Sequence, residues 1–156
     1  MAIQFLDERL STLLIDSSGT ELLSDTPLLI GDIGLQVVAA QLVPEHLTSV
    51  RVSLTGIVGI VSIEGPEEIS LNFTISIERN GTDTFGFGTV IFEEDVIAFG
   101  GGALTPLVVV AGDFPPADVV MAGEIRYTMF VSVLMGTPTL TGPVTFNGSA
   151  ATGTTT

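Results

Sequence analysis

The sequence predicts an all-β fold: an antiparallel β-sandwich or jelly roll with an extended N-terminal arm. Three observations predict it. First, residues 69–78 alternate without a fault, with Ile69, Leu71, Phe73, Ile75 and Ile77 set against Ser70, Asn72, Thr74, Ser76 and Glu78. That is the period of a strand with one buried and one wet face. Second, about nine short segments of strand character run along the chain at intervals of roughly 10–15 residues, with turn residues between them. Third, no segment keeps a convincing helical period, and nothing repeats at the fixed interval of a solenoid or propeller.

Residues 1–27 differ from the rest of the chain. Ile3, Phe5, Leu10, Leu13, Leu14 and Ile15 are apolar but interrupted by Asp7-Glu8-Arg9. Short extended pieces joined by turns fit this stretch better than the helix that a partial 3.6 spacing over 5–14 would allow. It is too apolar to dangle in water and too broken for a long strand. The expectation is an assembly arm whose apolar residues fill pockets on a neighbouring subunit while its backbone pairs with a sheet edge. Ser17, Ser18 and Gly19 would be the hinge. The alternative is that the arm folds back as an edge strand of its own sandwich.

The body is expected over 28–150. Residues 30–42 read as a strand ended by Pro44-Glu45-His46. Residues 49–63 read as a strand interrupted by Gly56 and Gly59, a pattern that marks bulges or bends. Gly65-Pro66 closes it. The central hairpin comes next, with a tight turn at Asn80-Gly81 and a return arm alternating Phe85, Phe87, Thr89 and Ile91 against Gly86, Gly88, Val90 and Phe92. Glu93-Glu94-Asp95 reads as an acidic turn before a short strand at 96–99. Gly100-Gly101-Gly102 reads as a flexible connection, 107–110 as a fully apolar strand, and 114–118 as a stiff loop. A strand over 124–134 and a last one over 144–146, framed by Gly142-Pro143 and Asn147-Gly148, complete the body. Residues 151–156 read as a frayed tail.

Composition narrows the function. The 156 residues are 46% hydrophobic and only 14% charged, against about 25% charged in an average domain. Burial between subunits is the natural remedy for so apolar a chain. No run approaches the length of a membrane helix, so no membrane insertion is expected. The net charge is −14, with four arginines and no lysine, which argues against nucleic acid and anionic membranes as partners. No cysteine is present, so disulfides and cysteine chemistry are excluded. The first sixteen residues lack the basic and apolar regions of a secretory signal.

No catalytic, metal or cofactor constellation emerges. His46 is the one histidine, and a surface role in its loop is the simpler reading; a metal site would need more imidazoles. The acidic groups at 67–68 and 93–95 lack the spacing of a calcium loop and read as solvated turns. Paired carboxylates could serve glycoside hydrolysis, but the chain has no Trp and one Tyr to form sugar platforms.

Three stretches, 71–82 (LNFTISIERNGT), 114–133 (FPPADVVMAGEIRYTMFVSV) and 142–150 (GPVTFNGSA), together resemble small jelly-roll proteins of the spore surface in Bacillus-like bacteria. These are the tumour-necrosis-factor/C1q-like heads of exosporium proteins and the subunits of endospore appendage fibres. The matching residues are Arg79, Gly81, Thr82, Pro115, Pro116 and Tyr127. The chain departs from cross-linked appendage subunits in lacking cysteine and from exosporium hair proteins in lacking a collagen-like stalk. The resemblance implies a non-enzymatic, self-assembling structural subunit of a fibre or layer, extracellular on the spore and freed by mother-cell lysis. The partner would be the chain itself, as a trimer or a polymer. A phage tail-fibre head and a carbohydrate-binding module are the alternatives.

Overall fold

The computed structural model describes residues 2–62, 70–99 and 102–154. The breaks expected at Gly65-Pro66 and Gly100-Gly101, the acid pair Glu67-Glu68, and Ile69 lie outside them. Most of the described residues are strand, few are helix, and the strands form two antiparallel sheets. They are β1 (Gln4–Leu14), β2 (Glu21–Leu22), β3 (Leu28–Gln36), β4 (Arg51–Ser62), β5 (Ser70–Arg79), β6 (Thr89–Phe99), β7 (Gly102–Asp113), β8 (Glu124–Met135) and β9 (Thr139–Thr152). One sheet has the order β1-β9-β4-β7, with β2 paired to the start of β9; the other has β3-β8-β5-β6. The chain changes sheet at nearly every connection, and among the described strands only β5 and β6 form a hairpin. This is the two-sheet jelly roll.

The core lies between the sheets, where alternate residues of every long strand meet. Leu71, Phe73, Ile75 and Ile77 of β5 face it as the alternation predicts, opposite Leu54, Ile60 and Phe146 of the other sheet. Gly56 and Gly59 flank a real irregularity: the register of β4 shifts at 57–60 against both neighbours.

Several expectations are corrected. The arm is not separate from the body. Residues Gln4–Leu14 pair with β9 from Gln4↔Thr152 to Leu14↔Val144, so the first strand is an edge of its own sandwich. The pairing also carries β9 to Thr152, which is fully buried and donates through Oγ1 to the His46 carbonyl at 2.9 Å, so the body does not end at 150. β9 continues through Gly142-Pro143 and Asn147-Gly148 without a turn, its register shifting at 142–144 against β4, and both glycines face crowded neighbours. A Cβ at Gly142 would collide with the Asp16 backbone, and one at Gly148 would lie 2.6 Å from Leu54 and 2.7 Å from Ile33.

The strand expected over 30–42 stops at Gln36, whose partner Glu124 is the first residue of β8. Beyond it the chain has no strand to pair with and turns into short 3-10 segments at Val38–Leu42 and Pro44–His46. His46 is buried there, not on the surface. The stiff loop after Phe114 contains a short helix, α1 (Ala117–Met121).

The central hairpin has no two-residue turn. Asn80 does take a positive φ of 54°, but its amide donates to the Arg126 carbonyl at 2.8 Å and its Oδ1 accepts the Arg126 amide at 3.0 Å. Those bonds hold Asn80 against β8, and residues 80–88 become a loop. The loop covers the outer face of β5. Phe85 stands edge-on to Phe130 with centroids 5.6 Å apart, and the Gly86 amide donates to Glu78 Oε1 at 2.7 Å. Ser76 and Glu78 are therefore buried, where alternation alone predicted a wet face. Glu93, Glu94 and Asp95 stand in the middle of β6, not in a turn.

A polar clamp ties the two sheets together. Arg79 of β5 reaches Asp113 at the end of β7 through Nη1, 2.8 and 2.9 Å from the two carboxylate oxygens. Tyr127 of β8, paired in register with Arg79, donates its hydroxyl to Asp113 Oδ2 at 2.8 Å. Tyr127 is fully buried. Burial, and then the charge of Asp113, raise its phenol above the ordinary value of 10.0. Because the folded value is raised, the stabilisation is complete below pH 10.0 and is lost as pH rises beyond it.

Replacing Arg79 by Met should therefore cost about 3–5 kcal/mol, the usual cost of leaving a buried carboxylate unpaired. Replacing Tyr127 by Phe should cost about 1.5–3 kcal/mol and flatten the fall in stability above pH 10.0. Urea denaturation at pH 7 and across the alkaline range measures both.

Candidate assembly surface

A jelly roll has four edge strands, and each edge exposes unpaired backbone donors and acceptors that invite further pairing. Here the edges are β1 and β7 of one sheet and β3 and β6 of the other. They are treated differently.

β3 is capped by β1. The Asp7 carboxylate accepts the Gln36 amide at 2.8 Å, and Ser11 Oγ accepts the Asp32 amide at 3.4 Å. Arg9 Nε holds the same Asp7 oxygen at 2.9 Å. Partial burial acts to raise the Asp7 pKa, but the Gln36 amide, Arg9 and the Glu8 amide outweigh it and hold it below the ordinary 3.8. Asp32 in turn takes a two-pronged bond from Arg126, at 2.9 and 2.7 Å, and the same guanidinium holds Asp83 of the 80–88 loop. β6 carries Glu93, Glu94 and Asp95 at its centre, with Asp95 accepting from Thr74 Oγ1 at 2.6 Å. Charges along an edge repel further strands.

Among the described residues β7 has neither device. No charged residue occurs between Gly102 and Gly112. Val108 and Val110 project from it, 56% and 66% exposed. Across the outer face of its sheet, Val110 stands beside Thr55, Asn147 and Leu10, and Val108 beside Ile57, Thr145 and Thr12. Both rows are free of charge. At one end of this face Phe114, 79% exposed, overhangs a hollow of about 330 Å³ floored by Ser53, Ser149 and Ala151 and bordered by Arg51.

The residues expected to form the arm divide between two surroundings. Leu14 packs against the core. Ile3, Phe5, Leu10, Leu13 and Ile15 are exposed along or just beyond β1, Ile15 by 83%. They therefore add to the apolar surface of the sandwich and do not reach away from it. The expected hinge is pinned: the Ser18 amide donates to Asp16 Oδ1 at 3.0 Å, Thr141 Oγ1 donates to the Ser17 carbonyl at 3.0 Å, and Gly19 lies against Leu14 and Leu140. Sequence reasoning missed Val108, Val110 and Phe114 as surface residues. The available signal was the uncharged run at 107–112, which reads equally as a buried strand.

Other chemistry is sparse. Among the described residues no group of three or more His, Asp or Glu could hold a metal ion, and no helix is long and apolar enough to cross a membrane. His46 presents its carbonyl to Thr152, while its buried Nδ1 has no hydrogen-bond partner.

The structure predicts that deleting residues 1–14 abolishes cooperative folding, because it uncovers β9, removes Leu6 and Leu14 from the core and strips the caps from β3. Loss of the β circular-dichroism signal checks it. Asp7→Ala should cost about 1–2 kcal/mol near neutral pH. Because the folded pKa is depressed, that difference should shrink as pH falls below 3.8, which denaturation at acid pH would show.

Comparison with protein-family models and with curated proteins returned no match. Among solved structures, the chain is similar to the subviral particle protein VP2 of infectious bursal disease virus, with a TM-score of 0.44, 12% identity and 94% of this chain covered. For the T13 particle of the same virus the values are 0.43, 13% and 94%. The chain spans only 39% and 35% of those two proteins. A decameric BFDV capsid protein aligns over 98% of this chain and 99% of its own, at a TM-score of 0.34 and 11% identity.

Proposed function

We propose that this chain is a non-enzymatic structural subunit that assembles with copies of itself into a fibre or layer on the surface of a spore. The observation that carries the assembly reading is the extent of apolar, uncharged surface left on a fully formed sandwich. Leu10, Ile15, Val108, Val110 and Phe114 are all more than half exposed although the core is complete without them. Large apolar side chains exposed beside uncharged rows of Thr, Asn and Ile on a folded domain mark an interaction surface. The spore setting rests on the resemblance of the three stretches. Its residues hold structural positions: Arg79 and Tyr127 form the clamp, Gly81 and Thr82 belong to the covering loop, and Pro115 and Pro116 lead into α1.

Light scattering and negative-stain electron microscopy of the purified chain test this. Oligomers or filaments at micromolar concentration are expected. A monodisperse monomer across that range would remove the proposal.

One observation favours a second reading. The hollow beneath Phe114 combines an exposed ring, two serines and a guanidinium, which suits a sugar ring stacked on the aromatic face. Saturable binding on a glycan array, lost on Phe114→Ala, would establish a carbohydrate-binding module; no binding leaves the assembly reading in place.

A further inference from the structure

We infer that β7 pairs edge to edge with β7 of a second copy, antiparallel about a two-fold axis near Val109, joining the two β1-β9-β4-β7 sheets into one. This rests on the self-assembly reading and names the surface that performs it.

The four edges differ in what they present to a second chain. β1 carries Asp7, Glu8 and Arg9; β3 has two edge amides already taken by Asp7 and Ser11; β6 carries three consecutive acids. β7 alone is free of charge along its length before Asp113. A partner of net charge −14 is repelled by the acidic β6 and finds at β7 an edge with no charge to oppose it.

The sequence of β7 is also complementary to itself. With the axis at Val109, Val108 of one copy stands opposite Val110 of the other, and Leu107 opposite Ala111. Val108 and Val110 both lie on the outer face. Four valines would thus meet in one cluster, β-branched against β-branched, which is a favourable cross-strand pairing. Pro106, which has no N–H, stands opposite Gly112 of the other copy, so this pair limits the ladder at both ends. A two-fold contact uses the same patch on both copies. It closes on a dimer, and a fibre or layer would need a second contact, for which the exposed residues of β1 remain free.

The test uses the full chain with three variants. Val110→Lys replaces an exposed side chain, so the fold should survive, and circular dichroism checks that. Ile97→Lys, at an exposed position of β6, is the control. The third carries Val108→Cys and Val110→Cys together, in a chain with no other cysteine. The inferred register places each cysteine opposite its counterpart within disulfide reach, whereas either single variant faces a valine. Sedimentation equilibrium should show self-association weakened about tenfold or more by Val110→Lys, since a lysine on the joining edge breaks the valine cluster and disfavours further strand pairing. Ile97→Lys should leave it unchanged. Mild oxidation should cross-link the double cysteine variant into a dimer, and neither single variant. If Val110→Lys associates as the unmodified chain does, or the double variant fails to cross-link, β7 is not the interface, while self-assembly by another surface stands. If the unmodified chain is a monomer throughout, both readings fall. Should Val110→Lys not fold, the cross-linking pattern alone decides.

Discussion

A chain with very few charges has to close a two-sheet sandwich, and the other features of the molecule answer to that requirement. Each sheet is satisfied internally, strand by strand, and what remains is four edges. With only four cations and 18 acids, ionic caps on every edge are out of reach. The chain uses its charges locally. Asp7 and Ser11 cover β3, and three acids guard β6. The first strand is thus both an edge and a cap, which is why its sequence mixes core leucines, edge-capping polar groups and exposed apolar residues.

Between the sheets polar contacts are equally few. Most of the core is aliphatic and aromatic, and two sheets joined only by such contacts can slide. The Arg79–Asp113–Tyr127 clamp adds a directional contact, with one residue from the end of β7 and two from neighbouring strands of the opposite sheet. Its geometry is satisfied on both carboxylate oxygens, which is the condition under which a buried ion pair holds its place. A second polar group, Arg126 with Asp32 and Asp83, binds the 80–88 loop to the outer face of the β3-β8-β5-β6 sheet.

Much of the architecture was legible in the sequence, because strand alternation reports burial directly. The fold class, the inward face of β5 and the extent of β8 follow from period two alone. What was not legible came from tertiary pairing. Asn80-Gly81 has the chemistry of a tight turn, but bonds to Arg126 divert it. Gly142 and Gly148 look like turn residues and are instead places where another backbone or side chain comes too close for a Cβ. Glu93-Glu94-Asp95 looks like a solvated turn because an edge strand is also solvated. The first strand looked foreign to the body because an edge strand that caps another lacks clean alternation. As for the candidate surface, the exposed apolar residues of β1 were singled out from sequence as an arm. Those of β7 were not, since a continuous apolar run gives no sign of which edge of the sheet it will occupy.

On this reading β3 is closed within the subunit, and β7 is left open for a second copy. Residue-resolved amide hydrogen exchange at low and high protein concentration probes both edges at once. The Asp32 and Gln36 amides should be protected at every concentration. The alternate amides of residues 107–112 that do not face β4 should exchange quickly when dilute and become protected as the protein associates. Fast exchange at Asp32 and Gln36, or exchange along 107–112 that is indifferent to association, would contradict this division of the edges.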